Sequence, residues 1–254
     1  QLGQPGVIMQ SDFPLLKQGL TSVEGFEVFV GNSKSKIHPD SVRSLLSGSL
    51  LEADWFYSSL SLRNRDISAG LTTAQSLLQE DFTTDLPKTE DLLIHYRVGD
   101  IFGHSPHSAY GPPPHSFFEL VARHLCPSKI RVIAEDFSDN LTVLLVDRLS
   151  KLAPVVAEPL SLSEDVRLIL AGRSLAVSVG TFGPTIAGLS RSLRSLYQFD
   201  RAPLITVESP KILTIRDDLG DYVRDIRMNN WTNSDAQREL VVNYSMENLS
   251  MRPD

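Results

Sequence analysis

The sequence predicts an α/β protein with a parallel sheet in its C-terminal half and a smaller α/β domain ahead of it. Three observations carry that expectation. From Leu92 onward, short apolar runs alternate with amphipathic stretches of about ten residues, the pattern of successive βαβ units. Helix-start signals stand at the heads of those stretches: the prolines at 112–114, Ser138 or Asp139, and the Ser161/Glu164 capping-box pair. A glycine-bearing turn at 180–183 then leads into a stretch with Pro184 near its first position.

Taken in order, residues 7–10 and 25–30 read as strands, and 39–47 and 68–80 as helices. The polar stretch 81–90, which contains Pro87, reads as a linker between domains 1–90 and 91–254. Residues 92–97 form the first strand of the regular series. The helix at 116–126 places Phe117, Leu120, Val121, His124 and Leu125 on one face. A strand at 130–135, a helix at 140–152 and a short strand at 154–157 follow. A helix from Ser161 to about Ala171, a strand at 175–179, a helix at 184–193 and a strand at 196–199 close the series. Beyond Pro210 the chain is charged and weakly patterned, ending from about Asn243 in a docking helix or a loose tail.

The 254 residues suffice for one large or two modest domains, and 41% hydrophobic with 22% charged residues is ordinary globular composition. A net charge of −7 with scattered Lys and Arg argues against nucleic acid as the main partner. No apolar run approaches the ~20 residues that span a bilayer, so no membrane span is expected. Residues 1–10 do not have the charged-then-apolar layout of a signal peptide. Cys126 is the single cysteine, which excludes an intrachain disulfide and a cysteine-based zinc site and favours a reducing, cytoplasmic setting. Sequons at Asn140, Asn230, Asn243 and Asn248 point the other way, to a secretory lumen.

In a parallel sheet the strand ends gather on one side, where ligands bind. Here those ends carry Arg97, Gly99 and Asp100, then Glu135 and Asp136, then Glu158, then Gly180, Thr181, Phe182 and Gly183. Arg97 offers a planar fork suited to a phosphate or carboxylate. The helix starting near Pro184 offers unpaired N–H groups and the positive end of a dipole, with Thr181 as a hydroxyl donor. Gly180 and Gly183 would let the backbone approach a ligand closely. Glu135 and Asp136 could accept hydrogen bonds from a ribose or a base edge. A plainer reading stands beside each: an Arg97–Asp100 salt bridge closing a turn, a simple strand-to-helix turn at 180–183, and His95 as a satisfied core residue.

The segment 103–116 holds His104, His107 and His115 at a spacing that suits no helix face. It reads as a mobile loop over a ligand, with Tyr110 able to stack on a sugar or base, and not as a metal site. Trp55, Phe56 and Tyr57 read as core.

The pattern His95-x-Arg97-x-x-Asp100 at a strand end resembles the H-x-R-R-x-D motif of the GDP-fucose-dependent fucosyltransferases, the α-1,2, α-1,6 and protein-O group. Residues 132–137 (VIAEDF) and 178–190 (SVGTFGPTIAGLS) resemble that family's second and third motifs in the same order, so the likeness covers roughly 90–200. The resemblance implies a GT-B-like fold, with a Rossmann-type sheet in the C-terminal half holding a nucleotide sugar and no metal or other cofactor. It implies a GDP-sugar as the favoured donor and a glycan as acceptor. It assigns catalysis to Arg97 and Asp100, and nucleotide-sugar binding to His95, Arg97, Glu135, Asp136, Gly180, Thr181, Phe182 and Gly183. The implied base toward the acceptor is Asp100 or an N-terminal carboxylate such as Asp12. Val98 stands where the family has its second arginine, residues 1–90 are short for an acceptor domain, and QLGQPG does not match the family's glycine-rich start. A transferase for another deoxyhexose such as rhamnose, or a non-catalytic nucleotide- or glycan-binding module, therefore remains open.

Overall fold

A computed structural model describes residues 88–180, 182–200 and 210–253, together with Phe82 and the backbone of four strands between residues 6 and 53. The chain divides into two compact units, Gln1–Asp85 and Leu86–Asp254. The division falls inside the polar stretch 81–90.

The first unit contains β1 (Gly6–Gln10), β2 (Gly19–Val23), β3 (Phe26–Gly31) and β4 (Leu50–Ala53) in the order β2-β3-β1-β4. β1 runs parallel to β3 and β4, and β2 antiparallel to β3. The sequence pattern had pointed to β1 and β3 only. β2 mixes Thr and Ser among its apolar residues, and β4 is four residues long, so neither shows a period. The helices expected at 39–47 and 68–80, the aromatic run at 55–57 and Asp12 lie outside the described residues.

The second unit is a seven-stranded sheet of β5 (Thr89–His95), β6 (Ile130–Ile133), β7 (Val155–Ala157), β8 (Gly172–Val177), β9 (Ser195–Phe199), β10 (Lys211–Asp217) and β11 (Leu249–Pro253). Five helices accompany it: α1 (His115–Leu125), α2 (Asn140–Ser150), α3 (Leu162–Ala171), α4 (Phe182–Leu189) and α5 (Asp235–Asn243). The order is β11-β10-β9-β8-β5-β6-β7, and every pair is parallel except β10–β11. The chain leaves β5 for β6 and β7, returns to the other side of β5 as β8, and continues to β9 and β10. This is a Rossmann-like order, with its topological switch point between β5 and β8. Among the described residues no helix is long and apolar enough to cross a membrane.

Local chemistry explains the boundaries. Leu92, Leu93 and Ile94 are fully buried because β5 is the central strand of a parallel sheet. α1 begins and ends one residue earlier than its pattern suggested; it stops at Leu125, and the capping residue Cys126 adopts a left-handed conformation while its N–H donates to the Ala122 carbonyl. Of the two candidate caps for α2, Asp139 is the one used, accepting from the Leu141 N–H at 2.8 Å. The Ser161/Glu164 capping box forms as the sequence indicated.

Three boundaries differ more. β6 stops at Ile133, short of Glu135. β8 runs from Gly172 to Val177 instead of 175 to 179, since Gly172 and Ser174 join the ladder to β5 on either side of an irregularity without presenting an apolar run. α4 runs from Phe182 to Leu189 instead of 184 to 193, because Ser190 stops it: its hydroxyl accepts from the N–H groups of Ser192 and Leu193 and donates to the Leu170 carbonyl.

The C-terminal segment is a correction. Beyond Pro210 lie β10, the capped helix α5 and the antiparallel edge strand β11, not a loose tail or a helix from Asn243. α5 buries only Val241, so it has no strong apolar stripe to read. Side chains of this segment hold the loop after β5. Trp231, fully buried, donates from its indole to the Ile101 carbonyl at 2.7 Å; Tyr222 donates to the Pro112 carbonyl at 2.8 Å; Asn233 donates to the Phe102 carbonyl at 2.7 Å.

Trp231→Ala is expected to destabilise the second unit by about 3–5 kcal/mol through lost packing. Trp231→Phe should cost about 1–3 kcal/mol, chiefly by leaving the Ile101 carbonyl unpaired. Urea unfolding of both variants checks this, and equal losses for the two would show that the indole hydrogen bond contributes nothing.

Candidate functional site

The site grows from the end of β5. Tyr96 and Val98 turn inward and are buried, so the alternation of an extended chain points Arg97 the other way. Gly99, at φ +69°, then starts a tight turn over Gly99–Phe102 that returns Asp100 to Arg97. Arg97 donates from Nε to Asp100 Oδ1 at 3.1 Å and from Nη2 to Oδ2 at 2.6 Å. Its guanidinium carbon lies 4.2 Å from the centre of the Tyr110 ring. Gly180, at the end of β8, has φ +105°, and a Cβ there would stand 2.5 Å from Arg97 Nη1. The guanidinium is thus bounded by a carboxylate, an aromatic face and a glycine backbone, and it bridges the switch point from β5 to β8. Its side chain keeps 25% exposure, enough for a ligand to reach.

The salt-bridged turn is therefore real. Asp100 occupies one edge of the fork and leaves the edge carrying Nη1 facing Gly180. The hydrogen bonds from Arg97 hold the Asp100 carboxyl below the usual carboxylate range, and those to Asp100 raise the guanidinium. A carboxylate so held is a weak proton acceptor, so Asp100 orients Arg97 better than it serves as a base.

His95 ends β5 and is 8% exposed. Its ring lies 5.4 Å from that of Phe182. A Cβ on Gly183 would come within 2.6 Å of its Nδ1. The space at Gly183 is therefore taken by His95 and the space at Gly180 by Arg97. Both glycines admit side chains of the protein, in place of the close ligand approach that the sequence suggested. Burial, and then the Arg97 charge, lower the His95 pKa to about 4, so the imidazole is neutral at pH 7. Among the described residues its Nδ1 has no hydrogen-bond partner, nor has the buried hydroxyl of Ser178, whose N–H donates to the His95 carbonyl at 2.9 Å. In the sequence Ser178 opens the stretch 178–190 and stands as a polar residue inside the apolar run LAVSVG, but it is not among the expected site residues.

The acidic pair separates. Glu135 stands beside the turn after β5, its Oε2 3.1 Å from where a Cβ on Gly99 would be. Asp136 instead accepts from the Ser138 N–H at 2.9 Å and from its hydroxyl at 2.5 Å, which lowers its pKa and commits it to the turn before α2. Glu158 follows β7, two strands away from β5. Thr181 lies outside the described residues.

The three histidines of 103–116 have three different surroundings. His104 is exposed. His107 accepts from the Ala109 N–H at 3.2 Å and its ring lies 4.9 Å from that of Tyr110. His115 is buried, with Nε2 3.5 Å from the Tyr96 hydroxyl. Among the described residues no group of three or more His, Cys, Asp or Glu is placed to hold a metal. The segment, expected as a mobile loop, is tied down by the hydrogen bond from Tyr222 to Pro112 and by the Trp231 N–H on the Ser108 carbonyl. Tyr110 spends one ring face on Arg97.

Compared with known proteins, the chain matches no family model, and no curated protein matches it.

Burial also lowers the His115 pKa, to about 3, so both histidines are neutral when folded. Unfolded, each titrates near 6.5 and binds more protons than the native state in the interval below that value. Stability is therefore full above about pH 6.5 and falls as the pH drops toward 4. At pH 5 the loss from His95 alone should be about 2 kcal/mol. Urea midpoints at pH 7 and pH 5 for the wild type and His95→Gln measure it. The same acid loss in both proteins would mean that His95 is not the buried neutral group described.

Proposed function

We propose that the crevice between β5 and β8 binds the diphosphate of a nucleotide sugar, and that the protein is a metal-independent, GT-B-like glycosyltransferase resembling the GDP-fucose-dependent fucosyltransferases. The observation that carries the reading is the placement of Arg97. A fixed guanidinium crosses the switch point of a Rossmann-like sheet next to the amino end of α4, where the positive end of the helix dipole favours an anion. The donor is a GDP-linked fucose or another deoxyhexose such as rhamnose, and the acceptor a glycan or other hydroxyl.

The reaction is displacement at the anomeric carbon. As the glycosidic bond breaks, the leaving diphosphate gains negative charge. Groups already aimed at that charge lower the barrier without reorganising. Arg97 and the head of α4 supply them, Asp100 and Tyr110 hold Arg97 in place, and Glu135 is the available acceptor for a ribose or base edge. The base toward the acceptor hydroxyl is then a carboxylate other than Asp100.

A second reading, a non-catalytic binding module with the same crevice, is favoured by the unsuitability of Asp100 as a base and by Val98, which is buried. Hydrolysis of the nucleotide sugar without acceptor separates the two, because a transferase shows it slowly and a pure binder does not.

Calorimetry with GDP, UDP and TDP is expected to show GDP bound most tightly. Arg97→Ala should weaken that binding about ten- to a hundredfold while circular dichroism stays unchanged, as suits a charge-assisted contact worth roughly 1.5–3 kcal/mol. Wild-type affinity in the folded variant would remove the phosphate role.

Turnover is expected to survive EDTA, since Arg97 and α4 supply the charge that a cation would otherwise bring. Complete loss, restored by Mn²⁺ or Mg²⁺, would contradict the metal-independent mechanism.

A further inference from the structure

The contacts of Arg97 continue outward through two rings. The guanidinium lies 4.2 Å from the centre of Tyr110 and the His107 ring 4.9 Å from it on centres, so at most about 9 Å separates the imidazole from the charge. Tyr110 is half-buried, whereas His107 is exposed.

His107 is exposed and yet held. Its Nδ1 accepts from the Ala109 N–H at 3.2 Å, which caps the short turn Ser108–Tyr110, and its carbonyl accepts from the Tyr110 N–H at 3.0 Å. The backbone around it is fixed as well. The Trp231 N–H donates to the Ser108 carbonyl, and the Tyr222 hydroxyl donates to Pro112 just beyond the turn. A solvated surface histidine needs none of these ties. A flat ring that is open to solvent but already ordered has given up the freedom that binding would otherwise remove.

We propose that the His107 ring is the platform on which the base of a bound nucleotide stacks, an assignment that rests on reading the crevice as a diphosphate site. With the diphosphate on Arg97, the ribose leads outward and the base arrives beside the two rings. Tyr110 already has Arg97 against its ring, so the stacking role expected of it in the sequence passes to His107. Bases stack on histidine as they do on other aromatic rings, and every base has a face to offer. A purine, with the larger face, gains more than a pyrimidine. Stacking does not read the base edge, which is left to a polar group such as the exposed Glu135.

Calorimetry on the full chain tests this with GDP, UDP and pyrophosphate, in the wild type, Arg97→Ala, His107→Asn and His107→Phe, each checked for folding by circular dichroism. Asparagine can accept from the Ala109 N–H as the imidazole does, but it has no ring. Phenylalanine has the ring but no acceptor. The wild type should bind GDP more tightly than pyrophosphate. His107→Asn should weaken GDP about tenfold or more, UDP less, and pyrophosphate not at all. His107→Phe should keep most of the GDP affinity. The reverse order, with Phe weak and Asn intact, would assign His107 to the turn alone and overturn the proposal. So would an equal loss of GDP affinity in both variants, or a loss in His107→Asn that is the same for GDP and pyrophosphate. Each of those failures leaves the role of Arg97 standing. If neither GDP nor pyrophosphate binds the wild type, or Arg97→Ala binds both as the wild type does, the diphosphate crevice itself is overturned, and the platform with it.

Discussion

The C-terminal unit is organised around one close approach: Arg97 lies where a side chain at residue 180 would have to be. A φ of +105° and the missing Cβ at Gly180 let the end of β8 pass against the guanidinium. That contact joins the two strands between which the chain reverses its direction of travel across the sheet. Any other residue at 180 would meet both a strained backbone and Arg97 Nη1. The geometry of the crevice, and with it any anion it takes, depends on this contact.

The same cluster contributes little to stability. Asp100 retains 61% side-chain exposure, and a pair of that kind is worth at most about 1 kcal/mol. The stack on Tyr110 adds about 0.5–1 kcal/mol. The fold rests instead on the buried run Leu92–Ile94, on Phe117 and Phe118, and on Trp231. Trp231, Tyr222 and Asn233 act on the site at one remove, by gripping the backbone on both sides of Tyr110. A side chain that does so little for the fold, yet is fixed by three neighbours, is placed as a ligand contact would be.

The alternation of β5, α1, β6, α2, β7, α3, β8, α4 and β9 was legible because each element has either an apolar run or a cap. β10, α5 and β11 were not. In KILTIRD the apolar residues are broken by Thr and Arg, and α5 is held by the Ser234/Gln237 capping box and the Arg238–Asp139 ion pair more than by an apolar face. At the site, the Arg97–Asp100 pair was readable from its three-residue spacing. The stack of Tyr110 on Arg97 and the seating of His95 against Gly183 were not, because those partners are 13 and 88 positions apart. The gathering of Lys88, Arg173, Arg191 and Arg194 was hidden in the same way: along the sequence they are scattered, and only the parallel sheet brings the starts of β5, β8 and β9 together.

That topology also gives the two edges different electrostatic characters. Helices that alternate with parallel strands turn their amino ends toward the carboxyl edge of the sheet and their carboxyl ends toward the other. At the carboxyl edge the positive end of the α4 dipole and Arg97 stand side by side, with Asp100 as the orienting partner of the guanidinium. At the amino edge the carboxyl ends of α3 and α4 bring partial negative charge to the side where Lys88, Arg173, Arg191 and Arg194 gather. The difference in character between the two edges follows from the direction of the helices.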